Sequence, residues 1–153
     1  MTSTALPLDR EAMRLIAEIG FIGTQTGQLG ASRAIFDSLR VLRPDSSLPL
    51  IGLALVLIAA NKPAVAAQFL RDSALTQFPG DPELTAFLGL ALQCAGKNSE
   101  AQEALSKVVE QPGATATPYA RMADKLMAMN TGAGSPVNLF PRWSEYERIT
   151  GQG

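Results

Sequence analysis

At 153 residues the chain has the length of one domain, and 46% hydrophobic against 18% charged residues is enough apolar material for a core without disulfides. Thirteen basic residues against fourteen acidic ones leave a net charge of −1, which excludes the broad positive field that draws proteins onto nucleic acid or anionic lipid. Histidine is absent and cysteine occurs once, as Cys94, which removes imidazole-based catalysis, cysteine-rich zinc clusters and any internal disulfide.

Met1 to Asp9 lacks the basic start and long apolar run of a secretory signal. The first long periodic segment runs from about Leu8 to Thr26, and the next from Ala31 to Leu42 after Gly27-Gln28-Leu29-Gly30. Pro44-Asp45-Ser46 then breaks the chain before Ser47 to Ala60, and Asn61-Lys62-Pro63 precedes Ala64 to Gln77. Beyond Pro79-Gly80-Asp81 come Pro82 to Ala95, Ser99 to Glu110 and Pro118 to Asn130, divided by Gly96-Lys97-Asn98 and Gln111-Pro112-Gly113. Each breaker supplies a left-handed or proline-fixed position that a helix does not continue through. Asp81 before Pro82 is a helix-start pair, and Ser47 and Ser99 are expected to cap as well. Strand alternation is nowhere sustained, so the fold class predicted is all-α, with tight loops joining antiparallel helices. The most apolar stretch, Leu48 to Ala60, falls short of the roughly 20 residues that cross a bilayer and reads as a buried helix. The expected product is a soluble, cytoplasmic protein without membrane insertion.

The helices repeat. Gly20, Ala54, Gly89 and Ala123 lie 34, 35 and 34 residues apart, and Ser32, Ala66 and Ala101 share the first two spacings. So do Phe36, Leu70 and Leu105. Two helices per unit of about 34 is the tetratricopeptide period. A small residue midway along the first helix permits close approach of its partner, and the large residue that follows packs between units. The organisation predicted is a superhelix of about three repeats and a capping half-repeat over residues 8–130. Residues 131–153 form a tail with a flexible linker, Thr131 to Pro136, and a short segment that carries Trp143, Tyr146 and Ile149 on one helical face. That face either caps the last repeat or makes a second contact with a partner, Trp143 and Tyr146 being its candidate contact residues.

Catalytic chemistry is missing. Phosphate-cradling glycine motifs do not occur, Gly20-x-x-Gly23 and Gly27-x-x-Gly30 have no strand before them, and the carboxylates are scattered. No enzyme activity, metal or cofactor is expected. Cys94, among Leu90, Leu92 and Ala95, reads as a small buried hydrophobe, and Arg40, Arg43 and Arg71 read as solvated helix ends.

First helices line the concave side of such a stack. With the small residue at the eighth place of each unit, the second, fifth, ninth and twelfth places face inward. They give Arg14, Ala17, Phe21 and Thr24 in the first unit and Leu48, Ile51, Leu55 and Ile58 in the second. The third gives Glu83, Ala86, Leu90 and Gln93, and the half-unit Thr117, Ala120, Asp124 and Met127. The candidate contacts are Phe21, Leu48, Ile51, Leu55, Ile58, Ala86 and Leu90. The groove predicted is apolar in its middle and polar toward its two ends, suited to an amphipathic helix with anchors at i, i+3, i+4 and i+7, or else covered by the C-terminal segment or a second copy.

In size, slightly acidic balance, three degenerate repeats with a half-repeat, and the phrase Phe36-Asp37-Ser38-Leu39-Arg40-Val41-Leu42-Arg43-Pro44, the chain resembles the tetratricopeptide-like chaperones of bacterial type III secretion. It resembles those that hold needle or filament subunits, and the related Hrp apparatus proteins of plant pathogens. The resemblance covers about Leu8 to Asn130. It implies a polymerising, secreted client whose helical part occupies the groove, with Phe21, Ile51, Leu55, Ile58 and Leu90 as contacts, and in some cases a second small co-chaperone. The competing expectation is a structural scaffold or self-associating repeat protein, including a homodimer.

Overall fold

A computed structural model describes residues 9–111 and 117–130; among these, every regular element is helical. The Trp143 and Tyr146 tail and the linker before it lie outside the described residues. Helix α1 (Arg10–Gln25) starts at Asp9, whose carboxylate accepts a 2.7 Å hydrogen bond from the Ala12 amide. Helices α2 (Leu29–Leu42) and α3 (Leu48–Ala59) follow. Next comes one continuous rod made of α4 (Pro63–Phe69), a π-helical turn (Leu70–Ala74) and α5 (Leu75–Gln77). The chain continues through α6 (Pro82–Cys94), α7 (Asn98–Val109) and α8 (Pro118–Asn130). From the end of α1 to the end of α7, each helix-to-loop boundary falls within about two residues of a breaker read from the sequence.

Two of the three expected caps differ in detail. Asp81 accepts from the Glu83 and Leu84 amides at 2.9 and 3.1 Å, as its place before Pro82 suggests. Ser47 makes no capping bond; Ser46 Oγ accepts from the Leu48 amide at 3.3 Å in its stead. Ser99 lies one residue inside α7, behind an N-cap at Lys97 that makes no side-chain bond. Loop geometry decides which of two adjacent serines can reach the amide, and spacing does not reveal it.

The turn that closes the first helix of each pair is built the same way three times. Gly27, Asn61 and Gly96 have φ of 83°, 62° and 79°. The amide of the residue after each donates to a carbonyl five residues back, in the bonds Gln28 to Gly23, Lys62 to Leu57 and Lys97 to Leu92 at 2.7 to 2.9 Å. This is the Schellman closure of a helix C-terminus. Asn61 takes the left-handed place that glycine fills in the other two turns, a conformation asparagine tolerates better than most residues.

The π turn accounts for the single 35-residue spacing. Phe36 and Leu70 are 34 apart, but Pro44 and Pro79 are 35 apart, so the extra residue enters between Leu70 and Pro79. The π turn lies in that interval, closed by the Leu75 amide donating to the Leu70 carbonyl. An inserted residue is absorbed as a π bulge without ending the helix.

Each rod packs on the next, and the first helices of the pairs also meet: α1 with α3, α3 with α6, and α6 with α8. Helix α3 has neighbours on all sides, which is why Pro49 to Val56 and Ile58 are buried and the helix has no polar face. Small residues set the approach. A Cβ on Gly20 would lie 2.7 Å from Cζ of Phe36, one on Gly52 would collide with the same ring, and one on Gly89 would collide with Leu105. Phe36 and Leu105 are both fully buried. Two side-chain amides tie distant loops and helices: Gln77 Nε2 donates to the Pro44 carbonyl, and buried Gln93 Nε2 donates to the Leu126 carbonyl, both at 3.0 Å.

Candidate functional site

Helix α1 has two apolar faces. Met13, Ala17, Gly20, Phe21 and Thr24 turn inward. Thr24 satisfies its buried hydroxyl by donating to the Gly20 carbonyl at 2.8 Å, and the Phe21 and Phe36 rings meet at 4.9 Å between centroids, tilted by 58°. On the other face Leu15, Ile19 and Ile22 are 55%, 60% and 57% exposed. Spaced by four and three, they form one stripe along the helix, flanked by the Arg14–Glu18 ion pair at 3.5 Å.

The same register is covered elsewhere in the chain. Thirty-four residues on, the stripe becomes Pro49, Leu53 and Val56 of α3, all buried. Thirty-five further on it becomes Leu84, Leu88 and Ala91 of α6, also buried. Helix α2 packs on α3 and α4 packs on α6, whereas α1 packs on α2 and α3. At the far end α8 carries Arg121, Asp124, Lys125 and Ala128 on its exposed side. The exposed side of α1 is thus apolar, and that of α8, among the described residues, is largely charged.

The residues predicted to line a concave groove lie elsewhere. Phe21, Ile51, Leu55, Ile58, Ala86 and Leu90 are buried within the apolar core, and Leu48 is half-buried against it. Phe21 turns toward Phe36, so that ring is committed to the α1–α2 contact. A side chain 1% exposed, as Ile51 is, offers no surface to a client, and no open groove is formed by these residues. Sequence reasoning missed the outer stripe of α1, although apolar residues on both sides of the first helix were its signal. It also missed the setting of Arg40, which is not a freely solvated helix end: its guanidinium lies 5.7 Å from the centroid of the Phe69 ring.

Among the described residues no group of three or more His, Cys, Asp or Glu side chains could hold a metal ion, and no helix is long and apolar enough to cross a membrane. Arg43 and Asp45 pair at 3.1 Å in the loop before α3; their mutual hydrogen bond raises the guanidinium and lowers the carboxyl from their ordinary values. Cys94 is half-buried, and desolvation pushes its thiol up. The thiolate is the reactive form, so at pH 8 Cys94 is expected to react with a disulfide reagent several-fold more slowly in the folded chain than in urea. Equal rates in the two states would contradict this. Because the folded value is the higher one, the stabilisation linked to this group is present below the unfolded pKa and is lost as the pH rises through the folded one.

No family model, curated protein or solved structure matches the chain.

Proposed function

We propose that the chain is a tetratricopeptide-like array of helix pairs that holds another polypeptide, whose amphipathic helix lies along Leu15, Ile19 and Ile22. The observation that carries this reading is the register. Positions covered by a packed helix in α3 and again in α6 stand open in α1. A contiguous exposed apolar stripe of this kind marks an interaction surface, and a helix is what the chain itself lays on its counterparts. Three periodic series, three equivalent Schellman turns and the paired contacts Gly20–Phe36 and Gly89–Leu105 support the repeat reading. Covering the exposed halves of the three side chains contributes about 1 kcal/mol each before ordering costs, so the partner also needs contacts beyond the stripe.

Within this proposal the partner is a secreted, self-assembling subunit that the chain holds in the cytoplasm before export, as the resemblance to type III secretion chaperones suggests. Burial of Phe21, Ile51, Leu55, Ile58 and Leu90 moves the proposed contact from the concave positions to the outer face of α1.

The test is coexpression with candidate partners encoded nearby, followed by recovery of the complex. The double variant Ile19→Glu/Ile22→Glu is expected to keep its circular dichroism spectrum, since both side chains are more than half exposed. It should lose most of the recovered partner, because carboxylates pressed against an apolar helix lose hydration without gaining a bond. Full recovery by the folded double variant would refute the α1 site.

A further inference from the structure

A second surface differs in chemistry from the α1 stripe. Helices α2, α3 and α4 enclose an open cleft of about 310 Å³. Its apolar lining is half-buried Leu29, Leu57 and Phe69 over buried Leu53 and Val56, and its charged lining is Arg33, Arg40, Lys62 and Asp37. Three cations thus face one carboxylate, in a chain whose net charge is −1.

The local compensation is incomplete. Arg33 reaches Asp37 at 3.8 Å, with both side chains more than half exposed. Arg40 is held over the Phe69 ring and not by a carboxylate, and Lys62 makes no ion pair among the described residues. Packing of the helix pairs does not require these cations. Thirty-four residues on from Arg33 and Arg40 stand Ala67 and Ala74, both buried. An apolar pocket of this size with a few convergent charges has the make-up of a binding site and not of a bare solvated face.

We infer that this cleft receives an acidic amphipathic segment of the held polypeptide, with one large apolar side chain set against half-buried Leu29, Leu57 and Phe69 and flanking carboxylates paired with Arg33 and Lys62. The inference rests on the polypeptide-holding function and gives the partner a chemical character. A positive rim over a low-dielectric floor selects carboxylates and rejects ammonium groups. Arginine and lysine at this rim also make the contact sensitive to salt.

The probes are two synthetic amphipathic helical peptides that share one leucine face, flanked by glutamates in one and by lysines in the other. Their binding to the full chain is read by fluorescence anisotropy. The glutamate peptide is expected to bind about tenfold or more tightly than its lysine counterpart at low salt, with the gap closing as salt is raised. Arg33→Glu/Lys62→Glu, at exposed positions that leave the fold intact, should reverse the preference. Ile19→Glu/Ile22→Glu should leave glutamate-peptide binding unchanged if the cleft is its seat. Equal affinity for the two peptides, no binding of either, or loss of glutamate-peptide binding in the Ile19→Glu/Ile22→Glu variant each overturns the cleft assignment. Partner recovery by the wild-type chain with loss in that same variant would still uphold the α1 site.

Discussion

Phe36→Ala is expected to cost about 3 to 5 kcal/mol of stability, and in a chain of this length to lower the melting temperature by roughly 10 °C or more. Phe36 is fully buried and acts as a wedge. Its ring fills the space left by Gly20 on α1 and by Gly52 on α3, and it also meets Phe21. Removing it opens a cavity where three helices converge, and two of the lining positions are backbone that cannot follow the void. Gly52→Ala loads the same contact from the other side, because a Cβ there collides with the ring, at about 1 to 3 kcal/mol. The two sites share one contact, so Phe36→Leu combined with Gly52→Ala should cost less than the sum of the single changes. Urea unfolding of the wild type, Phe36→Leu, Gly52→Ala and the double variant measures the coupling, and Phe36→Ala is unfolded alongside them. Strict additivity, or a loss below about 1 kcal/mol for Phe36→Ala, would show that the ring is not wedged between these helices.

Gly89→Leu should destabilise at or above the upper end of the roughly 1 to 3 kcal/mol typical of overpacking. Even the first carbon of a side chain at Gly89 meets Leu105, which is fully buried in α7. The leucine has no open side to turn to, since α6 packs on α4, α7 and α8 together. Ala54→Leu is expected to behave similarly, Ala54 being fully buried in α3. Thermal melts decide it; an unchanged melting temperature for Gly89→Leu would mean that α6 and α7 do not approach at this point.

These two contacts differ in how far they could be read from the chain. Gly20 with Phe36 and Gly89 with Leu105 recur at the same offset, so periodicity marked the positions, although it set the large residue between units and the structure packs it on the glycine of its own unit. Gly52 has Glu18 and Phe87 at the equivalent places of its neighbouring units, and only its oddity as a mid-helix glycine hinted at a close contact. Helix ends were legible because Asn61, Gly80 and Gly96 carry the positive φ that their residue types favour. The π turn was not, since a 35-residue spacing says that a residue was added without saying whether a loop or a helix takes it up. The site was the least legible part. A register position gives the direction of a side chain, but not whether neighbours such as Phe36 fill the space in front of it. That is how Phe21, Leu55 and Leu90 came to be expected in an open groove and are buried instead. Arg40 over Phe69 joins residues 29 positions apart on different helices, a juxtaposition that no local pattern encodes.

The outer face of α1 is tested most directly by a photo-cross-linking amino acid placed at residue 19, with residue 124 on the polar face of α8 as the control. Ile19 is 60% exposed within the apolar stripe, and Asp124 is exposed among charged neighbours. In cells that make the natural partner, the probe at residue 19 should give one discrete adduct with a different polypeptide, and the probe at residue 124 should give none. Equal adducts at both positions, no adduct at residue 19, or an adduct only with a second copy of the chain would contradict the assignment of this face to a partner's helix.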